Sequence, residues 1–240
     1  MTPGSPMDAE ALERLAARAL REVPDGALIG LGSGHTAAAF VRALGRRVRE
    51  GLRVRGVPTS VATERLAHDV GVPLATLDEG VLDLTIDGAD EVDPRLDLIK
   101  GYGGALVRER IVAASARRLV ILVESEKLVP VLGRRGRLPV EVIPFASPLV
   151  MRELAGRGCR PALRTVDGKT FVSDNGNWII DCAVRPIEAP APLAQDLRAI
   201  PGVVETGLFL GVAGLVLVAE AGHIRELRRG ESDRVTTVGP

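Results

Sequence analysis

Apolar residues along this chain alternate between helical spacing and short continuous runs. Over residues 8–23 they recur three and four positions apart, which predicts an amphipathic helix. Residues 27–31 (Ala-Leu-Ile-Gly-Leu) form a short apolar run, which is typical of a strand in a parallel sheet that is buried on both faces. The same pattern predicts further helices at 36–44, 62–69 and 105–116, and further strands at 52–57, 73–77, 82–86, 96–99 and 119–123. This alternation predicts a doubly wound, mostly parallel, Rossmann-like α/β sheet.

The pattern changes after Gly133. Strands are predicted at 138–143, 159–164, 170–172, 178–182 and 203–209, with helices at 147–155 and 191–199. The segment 174–177 (Asp-Asn-Gly-Asn) is a strong hairpin signal, because Asn-Gly tolerates positive φ. The order β-α-β-β-α-β predicts a small α+β domain of the ferredoxin-like type, after which a run at 215–219 returns the chain to the first domain.

We therefore predict two domains. The Rossmann-like domain comprises residues 1–133 and 207–240, and the inserted α+β domain comprises residues 134–206. Residues 1–7 are small and polar and are predicted to be disordered.

Composition excludes several classes of protein. The 240 residues carry 31 basic and 31 acidic side chains, so no basic field favours nucleic acid or a membrane surface. No apolar run approaches the roughly 18 residues needed to span a bilayer. The two cysteines, Cys159 and Cys182, have neither metal-ligand spacing nor the density of a secreted scaffold. We expect a cytoplasmic protein without nucleic-acid or membrane partners.

The glycine-rich segment 30–36 (Gly-Leu-Gly-Ser-Gly-His-Thr) lies where a predicted strand becomes a helix. Such a loop offers backbone N–H groups and a helix dipole to an anion, and Ser33 and Thr36 add hydroxyl groups. The spacing is not that of a dinucleotide fingerprint, and the next strand ends in Pro-Thr-Ser rather than in an acid. No lysine follows the glycines, as it would in a Walker loop. A small-metabolite phosphate fits better, and a tight turn without a ligand is the alternative.

Polar residues also follow the later strands. Asp87 and Asp90 follow the strand 82–86, and they could bind a small polar substrate, chelate Mg²⁺ or cap the next turn. Lys100 follows the strand 96–99, and Lys127 lies after the strand 119–123. Only three of the 31 basic residues are lysines, so two of them at strand ends are unexpected. We predict that four successive strand ends form the ligand-binding edge of the sheet.

Several residues stay open at this level. Glu109, on the helix after Lys100, could be a solvated or ion-paired helix residue. His68 and His223 are interpreted as structural or exposed, and His35 as a possible ligand contact with no acid predicted beside it. For Tyr102, the only tyrosine, a substrate-facing hydroxyl and a packing role are both open.

Several segments of the chain form distinctive motifs: 87–91 (Asp-Gly-Ala-Asp-Glu), 100–105 (Lys-Gly-Tyr-Gly-Gly-Ala), 108–109 (Arg-Glu), 138–144 (Leu-Pro-Val-Glu-Val-Ile-Pro), 174–177 (Asp-Asn-Gly-Asn) and 200–209 (Ile-Pro-Gly-Val-Val-Glu-Thr-Gly-Leu-Phe). Taken together, these motifs resemble those of the type A ribose-5-phosphate isomerases, and the resemblance extends over nearly the whole chain.

The resemblance implies an isomerase that interconverts ribose 5-phosphate and ribulose 5-phosphate through an enediolate, without metal or organic cofactor. It implies that Glu109 transfers the proton between C1 and C2, that Asp87 and Asp90 handle hydroxyl protons and ring opening, and that Lys100 stabilises the enediolate oxygen. It also implies a homodimer or homotetramer. The residues expected to bind substrate are Ser33, Gly34, His35, Thr36, Gly88, Ala89, Gly101, Tyr102, Gly103 and Lys127.

Three positions depart from the family pattern. His35 replaces a small hydroxyl residue, Tyr102 stands where a glycine usually follows Lys100-Gly101, and Leu12 stands where some members carry a lysine. These departures leave isomerisation of another phosphorylated aldose as an alternative. A non-catalytic sugar-phosphate sensor is a further alternative, but such proteins generally carry a helix-turn-helix. Here a single helix is predicted before the first strand, and the chain has no net positive charge.

Overall fold

The computed structural model describes residues 9–220 and 222–230. The prediction of disorder for residues 1–7 falls outside this part of the chain. The chain divides into two compact units. The first consists of the described parts of Met1–Ala89, Arg108–Leu128 and Val212–Pro240, and the second consists of Asp90–Val107 and Val129–Gly211.

This division differs from the two predicted domains. Residues 90–107, which we assigned to the first domain, make most of their contacts within the second unit. The boundaries of the second unit, at 129 and 211, lie a few residues outside the predicted 134 and 206.

The first unit contains a six-stranded sheet. Its strands, numbered in chain order, are β1 (Ala27–Leu31), β2 (Val54–Pro58), β3 (Leu84–Gly88), β6 (Leu119–Glu124), β14 (Ala213–Glu220) and β15 (His223–Arg228). The order across the sheet is β15-β14-β6-β3-β1-β2. All neighbours are parallel except β14 and β15, which are antiparallel. The predicted mostly parallel α/β sheet is therefore confirmed.

Helices pack against the apolar strands of this sheet through their buried apolar residues. The helices are α1 (Ala9–Leu20), α2 (His35–Arg49), α3 (Val61–Val70) and α4 (Leu106–Ala114). Phe40 and Leu44 of α2 are fully buried in one cluster with Ile29 of β1 and Leu84 of β3. The start of α3 is fixed by Ser60, whose Oγ accepts a hydrogen bond from the backbone N–H of Thr63 at 3.1 Å.

The second unit contains a four-stranded antiparallel sheet. Its strands are β7 (Arg137–Val142), β8 (Arg160–Leu163), β11 (Trp178–Ala183) and β12 (Val203–Thr206), in the order β12-β7-β11-β8. Helices α5 (Ser147–Gly156) and α6 (Pro190–Arg198) connect β7 to β8 and β11 to β12. This is the predicted β-α-β-β-α-β order. A short hairpin of β9 (Thr165–Val166) and β10 (Lys169–Thr170) lies between β8 and β11.

The second unit also contains a small three-stranded sheet that the sequence did not predict. It consists of β4 (Glu91–Val92), β5 (Leu98–Ile99) and β13 (Leu208–Phe209), in the order β13-β5-β4. The prediction that the strand ending at Ile99 belongs to the parallel sheet is wrong. Only residues 93–97 separate β4 from β5, which is enough for an antiparallel hairpin and too short for a parallel crossover.

Other predicted elements also differ from the structure. The strand predicted at 170–172 is replaced by β10, which ends at Thr170 and pairs with β9, and by a single bridge between Val172 and Trp178. The strand at 73–77 is absent: Leu74 makes one isolated bridge to Gly56, and a short 3₁₀ turn, Leu77–Glu79, follows. The strand at 203–209 is divided at Gly207, since β12 pairs with β7 whereas β13 pairs with β5. His223, which was interpreted as structural or exposed, begins the antiparallel edge strand β15, where its Nε2 lies 3.0 Å from Glu220 Oε2.

Candidate active site

Asp87 is a buried acid of the first unit that is oriented by backbone hydrogen bonds. It lies near the end of β3, and its residue is only 1% exposed. Its Oδ1 accepts hydrogen bonds from the backbone N–H groups of Ser33, at 3.0 Å, and Gly88, at 2.7 Å. Because both donors are backbone groups, the carboxylate has one defined orientation against the loop that follows β1.

Gly32 makes this approach of loop and carboxylate possible. A Cβ placed at residue 32 would lie 2.3 Å from Asp87 Oδ1 and 2.4 Å from Asp87 Cα. Both distances are far below van der Waals contact, and the second is to a backbone atom that cannot rotate away. The glycine is thus required for close backbone approach rather than for a positive φ.

Replacing Gly32 by Ala is therefore expected to displace Asp87 or the loop. We expect the free energy of unfolding to fall by about 1–3 kcal/mol and turnover of the substrate to fall with it. Gly156→Ala, at the end of α5, is the matched control, because a Cβ there meets nothing within 4 Å. Chemical denaturation and steady-state kinetics of both variants test this. A Gly32→Ala enzyme as stable and active as the control would contradict it.

Ser33 lies in a cluster of hydroxyl groups. Its Oγ is 2.8 Å from Thr59 Oγ1, 2.7 Å from Ser60 Oγ and 3.1 Å from Thr63 Oγ1. Thr59 and Thr63 also donate to the carbonyl oxygens of Leu31 and Gly32. The cluster orients Ser33 from beneath. The hydroxyls after the second strand were not among the predicted site residues, although the Thr-Ser-x-x-Thr pattern at 59–63 could have indicated them.

Residues 34–36 form the amino end of α2. Gly34 has φ 91°, precedes the first helical residue and is exposed, as is His35. Thr36 is buried, and its Oγ1 donates to the carbonyl oxygen of Leu122 at 3.1 Å. No side chain among the described residues caps this end of the 15-residue helix, so its first backbone N–H groups can donate to an anion. The partial positive charge of the helix dipole favours an anion at the same end.

His35 has an acidic neighbour that the sequence did not predict. Its Nε2 lies 2.5 Å from Oε1 of Glu124, the last residue of β6, so the expectation that no acid stands beside His35 is wrong. The two residues are far apart in the chain, and only the parallel sheet places the end of β6 near the start of α2. The His35 side chain is 59% exposed and the Glu124 side chain 15% exposed.

Glu109 lies in the first turn of α4 and is 6% exposed, which excludes the solvated helix face that its sequence context allowed. Lys127 ends the 3₁₀ turn that follows β6. Its side chain is 18% exposed, and its Nζ lies 3.7 Å from Glu126. The first unit therefore presents a buried carboxyl group on a helix and a lysine after a strand of the parallel sheet.

The second unit holds the other predicted residues. The backbone N–H of Asp90 donates to the carbonyl oxygen of Ile99 at 2.8 Å, and Asp90 Oδ2 accepts from the N–H of Tyr102 at 2.9 Å. Lys100 is 2% exposed, its N–H donates to the carbonyl of Gly207, and its Nζ lies 5.6 Å from the centre of the Phe209 ring. Asp90 and the glycine-rich loop after Lys100 are thus joined directly.

Tyr102 packs into this unit through its side chain. Its hydroxyl donates to the carbonyl oxygen of Arg137 at 3.0 Å, and the Arg137 guanidinium lies 3.9 Å from the ring centre. Burial, and then the negative charges of Glu91 and Asp90, raise the pKa of the Tyr102 hydroxyl to about 12. The geometry supports the packing alternative for the side chain, and the backbone N–H is the group that faces Asp90. The neighbouring Gly103 is exposed.

Among the described residues, 9–220 and 222–230, no three His, Cys, Asp or Glu side chains converge as a metal-binding group. No helix in this part of the chain is long and apolar enough to cross a membrane.

A mostly parallel sheet whose strands end in a glycine loop and buried carboxylates is typical of α/β enzymes that bind small anionic metabolites. Comparison with known proteins specifies this class further. The profile of the ribose 5-phosphate isomerase A (phosphoriboisomerase A) family matches residues 55–223. The chain is 50% identical to ribose-5-phosphate isomerase A of Gloeobacter violaceus over 224 residues, which cover 92% of this chain and 97% of that protein.

Solved structures agree. The ribose 5-phosphate isomerase A of Methanocaldococcus jannaschii superimposes with a TM-score of 0.87 at 43% identity, covering 91% of this chain and 98% of that one. A D-ribose-5-phosphate isomerase in complex with phospho-erythronic acid superimposes with a TM-score of 0.88 at 38% identity, covering 93% and 100%. The chain belongs to the ribose 5-phosphate isomerase A family.

Proposed function

We propose that this chain interconverts D-ribose 5-phosphate and D-ribulose 5-phosphate through an enediolate, as a step of the non-oxidative pentose phosphate pathway. The observation that carries the proposal is membership of the ribose 5-phosphate isomerase A family at 50% identity over 92% of the chain. The relative with bound phospho-erythronic acid supports a sugar-phosphate ligand.

Glu109 is the proton-transfer base. In the aldose-to-ketose direction it takes the proton from C2 of the open-chain sugar, C1 and C2 become doubly bonded, and the proton is returned to C1. The proton on O2 leaves as the O1 oxygen gains one. Burial of Glu109 supports this role, because a carboxylate in a site that excludes bulk water can be held in one position for proton transfer.

Lys100 stabilises the negative oxygen of the enediolate. Its residue is almost completely buried, and the face of the Phe209 ring favours a positive charge at Nζ. A preorganised cation of this kind requires no reorganisation of solvent as charge develops on the substrate.

Asp87 and Asp90 move hydroxyl protons and assist ring opening. Each has an oxygen held by backbone N–H groups, Asp87 by Ser33 and Gly88, and Asp90 by Tyr102. A carboxylate fixed in this way can accept and return a proton without changing its rotamer. Gly88 and Ala89, between the two acids, and Gly101 to Gly103, after Lys100, are proposed to contact the substrate through their backbones.

Ser33, Gly34, His35, Thr36 and Lys127 bind the phosphate group. The open amino end of α2 and the lysine supply donors and positive charge, which a phosphate dianion requires. His35 adds a ring that is paired with Glu124 and still 59% exposed. That ring is the feature that would favour a different phosphorylated aldose, so the alternative substrate belongs to this same loop.

The test is an isomerase assay on the purified chain. We expect ribose 5-phosphate to be converted to ribulose 5-phosphate at the same rate with and without a chelator such as EDTA, since the proposed chemistry uses side chains alone. A parallel panel of pentose and hexose phosphates measures preference. Conversion of another aldose phosphate but not of ribose 5-phosphate would contradict the proposed substrate, and loss of activity with EDTA would contradict the cofactor-free mechanism.

We also propose that the chain is a cytoplasmic homodimer or homotetramer, as the resemblance implies. Exposed apolar side chains on the second unit support an oligomer: Ile143 is 50% exposed and Phe145 96% exposed. Large apolar side chains that are exposed close together in the chain form the kind of surface that a partner subunit can cover.

A further inference from the structure

An ion pair in the second unit contacts the loop that follows Lys100, although neither of its residues stood out in the sequence. Arg164 lies directly after β8, and Asp181 lies in β11. Arg164 Nε donates to Asp181 Oδ2 at 2.9 Å, and its Nη2 donates to Oδ1 at 2.5 Å. The Arg164 side chain is 9% exposed and the Asp181 side chain 16% exposed. The pair is thus bidentate and largely removed from water, which fixes the plane of the guanidinium.

The remaining nitrogen of this guanidinium points at the loop. Arg164 Nη1 donates to the carbonyl oxygens of Gly101, at 3.0 Å, and Tyr102, at 3.1 Å. These are two successive carbonyls immediately after Lys100. With its fork occupied by Asp181, Arg164 can reach both carbonyls at once only if the loop keeps this conformation.

The same network reaches Asp90. Tyr102 makes both contacts. Its carbonyl oxygen accepts a hydrogen bond from Arg164 Nη1, and its backbone N–H donates to Asp90 Oδ2. The other side of the loop is closed by Phe171: a Cβ at Gly104 would lie 2.4 Å from its ring, and the Arg164 guanidinium lies 5.6 Å from the ring centre. The buried guanidinium is therefore linked both to the loop and, through Tyr102, to Asp90, in addition to the contact of the Tyr102 side chain with Arg137.

Stability alone does not explain a buried ion pair at this place. Removing two charges from water is costly, and apolar residues of similar size often give equal or greater stability. Lysine could replace the arginine only in part, because an ammonium group keeps the charge but lacks the planar fork that binds a carboxylate and two carbonyls simultaneously. The arrangement is better explained by the conformation that it imposes.

We propose that Arg164 and Asp181 are positioning residues for the isomerase reaction, which hold residues 101–103 so that Lys100 and Asp90 keep their working orientation. The inference rests on the proposed function, since it takes Lys100 and Asp90 as the groups that act on the sugar. Arg164 acts through the loop and is not assigned a contact with substrate.

The experiment compares Arg164→Gln and Arg164→Lys with wild type and with Arg160→Gln, a neutralised arginine exposed on β8 of the same unit. Kinetics with ribose 5-phosphate are measured well below the melting temperature of each variant. We expect kcat of Arg164→Gln to fall about 10- to 100-fold, while KM stays within about threefold of wild type. Misplaced catalytic groups reduce the stabilisation of the transition state more than they reduce the binding of the phosphate group. Arg164→Lys should recover part of kcat, and Arg160→Gln should match wild type.

The outcomes separate three explanations. If the wild-type chain and Arg160→Gln do not convert ribose 5-phosphate, the proposed function fails. If they do, and fully folded Arg164→Gln has wild-type kcat while only its melting temperature falls, the pair is structural and the inference is overturned. Should Arg164→Gln not fold, Asp181→Asn takes its place: it keeps the side-chain size, and a kcat reduced about threefold or more at unchanged KM supports the inference, whereas an unchanged kcat overturns it.

Discussion

Replacing Glu109 by Gln is expected to lower kcat for ribose 5-phosphate by about 10³-fold, within the range of 10² to 10⁴ that a positioned general base contributes. Glutamine keeps the size of the side chain and one carbonyl oxygen but cannot accept a proton at that oxygen. Because Glu109 is only 6% exposed, water cannot readily replace the lost base. KM should change little, since the proposed phosphate contacts lie on other residues.

Isotope exchange identifies the step that is lost. In D₂O the wild-type enzyme should incorporate deuterium at C1 of the ketose, and Glu109→Gln should lose this incorporation together with turnover. Glu64→Gln is the matched control, because Glu64 lies in the first turn of α3 as Glu109 lies in the first turn of α4, but is exposed. Wild-type exchange and turnover in a correctly folded Glu109→Gln enzyme would remove Glu109 from the role of base.

Lys100→Met gives the second large effect. We expect kcat to fall by about 10² to 10³, which corresponds to about 3–4 kcal/mol of lost transition-state stabilisation. Methionine fills a similar volume beside Phe209, so the fold should persist while the positive charge that we propose acts on the enediolate oxygen is lost. KM should stay within a few-fold of wild type, because the ground-state sugar carries no charge at that oxygen.

Lys169→Met supplies the control for this substitution. Lys169 is another of the three lysines, and it lies exposed in β10. Steady-state kinetics and thermal unfolding of the two variants separate charge at the reacting oxygen from the general effect of removing a lysine. Equal kcat values for Lys100→Met, Lys169→Met and wild type would show that Lys100 does not stabilise the transition state.

Much of the fold followed from local pattern. The continuous apolar runs at 27–31 and 119–123 became β1 and β6 within one residue, because a strand buried on both faces has no polar positions to obscure it. The β-α-β-β-α-β order of the second unit was also predictable, since each element has its own periodicity. The hairpin predicted across Asn175-Gly176 is present only as a single bridge between Val172 and Trp178, because β11 pairs with β7 and β8 instead.

The predictions that were wrong concern strands whose sheet is determined by their pairing partners. An apolar pair such as Leu98-Ile99 is compatible with a parallel sheet or a hairpin, and only the short 93–97 connection and the partner β13 determine which one forms. The strand predicted at 203–209 is divided for the same reason, since its two halves pair with different strands. Strand pairing depends on residues distant in sequence, which periodicity does not contain.

The candidate residues show the same division. The sequence was sufficient to select Asp87, Asp90, Lys100 and Glu109 as candidate residues, because residue order and motif spacing are properties of the chain. Tertiary structure alone decided their environment: Glu109 is buried rather than solvated, and Gly32 admits the Asp87 carboxylate. Burial and hydrogen bonding arise from segments brought together by folding, such as the Thr59 to Thr63 hydroxyls beneath Ser33.

Two of the three departures from the family pattern, His35 and Tyr102, show most clearly what the sequence alone does not determine. The sequence determined that His35 and Tyr102 are bulky where small residues are usual, but not what they would contact. The parallel sheet places Glu124 beside His35. The Tyr102 side chain packs against Arg137, and the backbone N–H of Tyr102 donates to Asp90. Side-chain identity is written in the chain, whereas the partner that sets its role is chosen by packing between distant segments.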